Sequence, residues 1–163
     1  MKKVMLFTLM ILLVVSTTAY AAQYKRYYNA RFGFSVDVPS NSKITVEPVN
    51  GDGKEFTTKD GKAVVITSGI NNVLEYTVQS AYKQQLDSLM SNKTKIAYKR
   101  IKNNWFVISY VKGDSIIYYK EFVGKGSIND FTIKYSKKYA KTYNKITEHI
   151  AGSFKTGDLN ASH

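Results

Sequence analysis

Trp105–Val123 reads WFVISYV, then KGD, then SIIYYKEFV. Two runs rich in β-branched and aromatic residues flank three turn formers, Lys112-Gly113-Asp114. Such runs are strands, and a connection this short permits only antiparallel neighbours. The reading extends outward on both sides. Ser127–Tyr135 follows the break Gly124-Lys125-Gly126, and Lys95–Ile101 precedes the break Lys102-Asn103-Asn104. Phe131, Ile133 and Tyr135 alternate with Thr132 and Lys134, so one face is buried and the other polar. The result is an antiparallel meander to which the rest of the chain attaches.

Upstream, Phe34, Val36 and Val38 alternate with Ser35 and Asp37, the period of a half-buried strand. Pro39 cannot donate to a ladder and ends it. Asn29 to Gly33 is a turn that delivers Phe32 to the strand entrance, and Gln23–Tyr28 is a lead-in without periodicity. Ile44, Val46 and Pro48 suggest a short extended piece. Asn50-Gly51-Asp52-Gly53 is a turn, and Lys59-Asp60-Gly61-Lys62 closes a hairpin between Glu55–Thr58 and Ala63–Thr67.

Two helices complete the pattern. Leu74, Val78, Tyr82, Leu86, Leu89 and Met90 recur at three- and four-residue steps, predicting a helix over Val73–Met90. Asn72 is its expected cap, with Glu75 as capping-box partner. Tyr139, Tyr143, Ile146 and Ile150 define a second helix ending near Gly152. Phe154 tucks back onto the core, and Thr156–His163 reads as a flexible polar tail. Phe34, Val36, Trp105, Val107, Ile133, Ile146 and Ile150 are the expected core. A core Trp105 implies that Trp105→Ala costs about 3–5 kcal/mol.

The first 22 residues read as a secretory signal. Lys2 and Lys3 precede the apolar run Val4–Val15, and Ala19-Tyr20-Ala21 is a small-residue cleavage pattern. Removing 22 of 163 residues leaves a chain of one-domain size, 23–155 plus the tail. It has no cysteine, so it folds without disulfides, which suits a bacterial envelope, and no lipidation handle or transmembrane anchor follows the leader. Two of the 24 basic residues lie in the leader and all 12 acids follow it, so the exported chain carries +10. That charge favours anionic neighbours, although the basic residues are scattered rather than run together.

Residues with catalytic types are sparse. His149 and His163 are the two histidines, one on a helix flank and one in the tail. There is no nucleophile elbow or phosphate loop. Asn50, Asp52 and Glu55 could offer oxygens to Ca²⁺, but the segment lacks the alternating acids of a calcium loop and reads as a plain turn. No catalytic, metal or cofactor residue is therefore assigned. The best functional candidate is the alternation of aromatic and basic residues in the meander: Tyr98, Lys99, Arg100, Trp105, Tyr118, Tyr119, Lys120, Lys134 and Tyr135. On one sheet face these would form an aromatic, cationic platform. Lys99, Arg100 and Lys120 would then steer an acidic partner in a salt-dependent way.

Arg31-Phe32-Gly33-Phe34-Ser35-Val36 with Pro39, Asn50-Gly51-Asp52-Gly53 with Phe56, and Asp60-Gly61-Lys62-Ala63 resemble the opening of small exported bacterial proteins of the PsbP-like family. Tyr143–Ile150 followed by Ser153-Phe154 is similar to that family's closing helix. The superfamily includes the PsbP subunit of photosystem II and a Ran-binding nuclear import factor. The resemblance implies an α+β fold, an antiparallel sheet sandwiched between helices (α/β/α), in a single domain. It also implies an accessory or binding role without shared catalytic apparatus, and fold alone does not carry activity. The expectation is an exported, non-enzymatic accessory or binding protein of the envelope, periplasmic or secreted. Its partner would be another envelope protein or an anionic envelope component, not nucleic acid. The alternatives are a small hydrolase with unidentified carboxylates and a module for an anionic polymer or lipid head group.

Overall fold

The computed structural model describes residues 24–163. The expected leader lies outside the described residues. The meander forms as read, with β6 (Lys95–Lys102), β7 (Trp105–Lys112), β8 (Ser115–Val123) and β9 (Ser127–Ser136) paired antiparallel in sequence order. Upstream, β3 (Lys43–Val46), β4 (Gly53–Thr57) and β5 (Ala63–Asn71) join it, giving one sheet of order β3-β4-β5-β9-β8-β7-β6. The joining seam is β5 against β9, from Ala63↔Tyr135 to Asn71↔Ser127.

The expected lead-in is instead strand β1 (Tyr24–Tyr28), paired along its length with β2 (Ser35–Pro39). Backbone pairing supplies what periodicity could not, because β1 lies on the outside and alternates only weakly between half-buried and exposed residues. The turn between them is built by Asn29. Its Oδ1 accepts from the Phe32 N–H at 2.7 Å, its backbone N–H donates to the Phe34 carbonyl at 2.8 Å, and Gly33 takes φ +69°. Positive φ there costs glycine little.

Helix α1 (Val78–Ser91) starts later than predicted. Thr77 is the cap, with Ser80 as its capping-box partner. Asn72, buried, uses Oδ1 to accept from the Tyr76 N–H and Nδ2 to donate to the Tyr76 and Gly124 carbonyls, at 2.7–2.9 Å. Glu75 sits at φ +53°, which no α-helix accommodates, and Val73 and Leu74 are exposed. Helix α2 (Ala140–Ser153) follows a single 3₁₀ turn and runs through Gly152.

The two helices cover opposite faces and opposite halves of the sheet. α1 packs on β6, β7 and β8, closing a core of Val78, Ala81, Phe106, Ile108, Val123 and Ile128. α2 packs on β8, β9 and the β1–β2 ribbon, closing a core that includes Phe34, Val36, Phe56, Val65, Phe131 and Ile133. Ile150 and Phe154 belong to that second core, and Phe154 stacks on Phe34, Phe122 and Phe131. Trp105 and Ile146, expected in the core, are only half-buried.

The expected flexible tail is placed against the sheet. Lys155 exchanges two 2.8 Å backbone bonds with Ser35. Gly157 donates to Asn129 Oδ1 at 3.2 Å, and the Leu159 carbonyl accepts from Gly126 and Ser127 at 2.9 and 3.2 Å. His163 exchanges bonds with the Asn71 side chain at 2.6 and 2.8 Å and meets the Phe32 ring edge-on. Glycine makes this approach possible, since a Cβ on Gly157 would stand 1.8 Å from the Phe32 carbonyl oxygen.

Candidate partner-binding groove

Alternate residues of a strand point to opposite faces, so the register decides which side chains meet. Tyr98 pairs with Ser109, Ser109 with Tyr118, and Tyr118 with Ile133, placing all four on the α2 face. Arg100, Val107, Lys120 and Phe131 form the next row of that face, and Lys102, Trp105 and Phe122 the next. Lys99, Ile108, Tyr119 and Thr132 point to the α1 face. Lys134, two residues on from Thr132, shares that face. The expected single platform is thus divided. Tyr98, Arg100, Trp105, Tyr118, Lys120 and Tyr135 share one side; Lys99, Tyr119 and Lys134 occupy the other. Composition along a strand cannot reveal this unless the period of two is followed through each turn.

On the α2 face, α2 covers the ribbon side and leaves the outer strands open. A groove of about 540 Å³ remains between them. Its floor is Tyr98, Ser109, Val111, Ile116, Tyr118 and Tyr135, and its wall is Asn144, Thr147, Glu148 and Ala151 of α2. Tyr135 is buried, stacks on Tyr143 and donates to Asn144 Oδ1 at 2.7 Å. Tyr118 stacks on Phe131, and burial, reinforced by Tyr98, pushes its phenol up to about 12. Burial also raises Tyr135. Tyr98 is 49% exposed and forms the outer lip. The Tyr118 and Tyr135 phenols are neutral donors at any physiological pH, set in a largely apolar floor.

Lys120 is not the free surface cation expected. Its Nζ donates to the Ala151 carbonyl at 3.1 Å, in the last turn of α2, and lies 5.0 and 4.9 Å from the Trp105 and Phe122 ring centres. Burial lowers its pKa. A cation at a helix C-terminus complements the peptide dipoles, so Lys120 anchors α2. Arg100 and Lys102, beside it, remain exposed.

The other face carries two acids side by side, Glu121 and Asp130, opposite one another across β8 and β9. The Tyr119 hydroxyl donates to Glu121, and the Ser68 hydroxyl to Asp130 Oδ2 at 2.5 Å. Burial, with the neighbouring Glu121 charge adding to it against the Ser68 bond, pushes Asp130 up to about 7. Burial raises Glu121 as well. His149 lies 3.0 Å from Asp37 Oδ2 and stacks on Tyr24, while Arg26 pairs with Asp37 at 2.8 Å. That cluster ties the ribbon to α2. Asp52 pairs with Arg31 at 2.6 Å and Glu55 accepts from Thr45 at 2.7 Å, so the oxygens considered for Ca²⁺ have other partners.

A second cleft, about 660 Å³, opens at the loop end among Asn72, Tyr76, Thr77, Asn103, Asn104, Lys125 and Asn160. Its walls are turns between strands and the segment after α2, so no periodic pattern in the sequence points to it.

A search of solved structures finds the solution structure of cyanobacterial PsbP (CyanoP) from Synechocystis sp. PCC 6803, with a TM-score of 0.61 at 11% identity. The match covers 88% of this chain and 98% of that one. The fold is PsbP-like. No family model matches the sequence, and no curated protein matches it. The PsbP-like sandwich therefore rests on architecture: one antiparallel sheet, a helix on each side and an N-terminal ribbon. No helix among the described residues is long and apolar enough to cross a membrane.

Proposed function

We propose that the protein is an exported, non-enzymatic accessory protein that binds a partner through the uncovered half of its α2 face. The observation that carries this reading is the Tyr98–Tyr118–Tyr135 groove. An aromatic floor of about 540 Å³ beside exposed Arg100 and Lys102 has the composition of a recognition surface. Its lining holds one carboxylate, Glu148, and no imidazole. The paired carboxylates Glu121 and Asp130 lie on the opposite face with their oxygens bonded by hydroxyls, which favours binding over the hydrolase alternative. The PsbP-like fold, the basic, cysteine-free composition and the leader-like start support the same role.

The test is a photocrosslinking amino acid placed at position 98, with position 66 on the α1 face as control, in cells of the native source. Position 98 should give a discrete adduct that Tyr118→Ala abolishes and position 66 should not. Equal adducts from both positions, or none from 98 in a folded protein, would overturn the groove as the contact surface.

A further inference from the structure

We infer that the partner contributes an acidic, extended peptide segment that adds to the sheet as a strand beside β6. This rests on the binding reading above and specifies how the partner is held. β6 is one of the two edge strands of the sheet, β3 being the other, and among the described residues no group bonds its outward backbone edge. Its eight residues are largely exposed. An open edge of that length is a template for another strand.

Charge identifies the occupant. Lys95, Lys99, Arg100 and Lys102 lie on β6, and none of them makes an ion pair or side-chain hydrogen bond among the described residues. Residues 94–113 contain five cations and no acid. Lysines on an edge also keep identical edges apart, so a second copy of this chain is disfavoured and an acidic strand is favoured. The two faces of β6 add specificity. Tyr98 and Arg100 face the groove, while Lys99 and half-exposed Ile101 face the α1 side. An added strand alternating acidic and apolar residues would meet cations and apolar surface on either side, and its groove-side residues would lie next to Tyr98.

The probe is a capped heptapeptide alternating glutamate and valine, titrated into the full exported chain, with a copy methylated at every backbone nitrogen as control. Hydrogen exchange at residues 95–102 should slow about tenfold at saturation with the plain peptide. Binding should weaken as salt rises from 0.05 to 0.5 M, and the methylated copy should not bind. The triple variant K99Q/R100Q/K102Q, whose fold is checked by circular dichroism, should bind about tenfold more weakly. Equal binding of the methylated copy would overturn strand addition, as would slowed exchange confined to α2 or a triple variant of unchanged affinity. Anionic vesicles that bind in a salt-dependent way, where the peptide does not, would likewise overturn it and assign β6 to a lipid surface. A peptide that fails these tests while position 98 still crosslinks would remove strand addition and leave the groove, whereas loss of the position-98 adduct would remove both.

Discussion

Asp130 shows how a single residue couples the sheet to pH. Its carboxyl is pushed from 3.8 to about 7 in the fold, chiefly by burial and further by Glu121 opposite. Between those values the folded chain holds a proton that the unfolded chain has lost, so this group's contribution to stability falls as pH rises and levels off above about 7. Asp130→Asn removes the effect while keeping an acceptor for Ser68. Urea unfolding at pH 4.5 and pH 8 should show the stability difference moving about 3 kcal/mol in favour of the variant at the higher pH. A difference that does not move with pH would show that Asp130 is ionised in the fold throughout. Trp105 makes a second residue-scale case. Half-buried and packed against Phe122 beneath Lys120, it loses less on truncation than a core tryptophan. Trp105→Ala should cost about 1–2 kcal/mol rather than 3–5, read from the same denaturation curves. The sequence placed this residue in the core, and the structure does not, because strand periodicity does not say where a covering helix stops.

At the scale of elements, the strands were far more legible than the helix starts. The meander bounds follow from Lys112-Gly113-Asp114 and its counterparts, where turn chemistry and the period of two agree. Helix α1 was misplaced at its start because Asn72 and Glu75 match a capping box in type and spacing, while Leu74 matches the apolar stripe by chance. The backbone decides otherwise: Glu75 adopts φ +53° and Thr77 caps. Thr77→Ala should therefore cost about 1 kcal/mol, an ordinary cap loss. Asn72→Ala should cost about 2–3 kcal/mol, because a buried side chain with three hydrogen bonds leaves its backbone partners unsatisfied. Equal costs in chemical denaturation would contradict this division of roles. The candidate site was legible in composition only. Tyr98, Tyr118 and Tyr135 share a groove because β6–β9 keep register through three turns, whereas Tyr119 lies on the far side for the same reason.

For the whole molecule, the segment after α2 carries an unexpected share of the architecture. Polar composition made Thr156–His163 read as free, yet Asn71, Asn129 and Ser127 bond it, and the glycines at 124, 126 and 157 let it lie close. Deleting residues 157–163 should leave Gly126 and Ser127 without acceptors for their N–H groups and uncover Phe32. The expected loss is at least about 2 kcal/mol, measured by thermal or urea unfolding with little change in the far-ultraviolet spectrum. An unchanged midpoint would make the tail a bystander.

The β5–β9 seam also has a consequence for the order of events when the chain is made. Every other ladder in the sheet joins strands adjacent in sequence, but β5 waits for a partner that begins at Ser127. Synthesis at about 5–20 residues per second leaves β5 with a vacant side for several seconds, its Ala63 and Val65, buried in the finished fold, still without their β9 neighbours Tyr135 and Ile133. The meander needs no such wait, since each of its strands meets the next across a short turn. Loop closure between the halves is then the slow, long-range step. The chain spends its early life as a ribbon and a half-sheet, the interval in which a holding chaperone would have the most to protect.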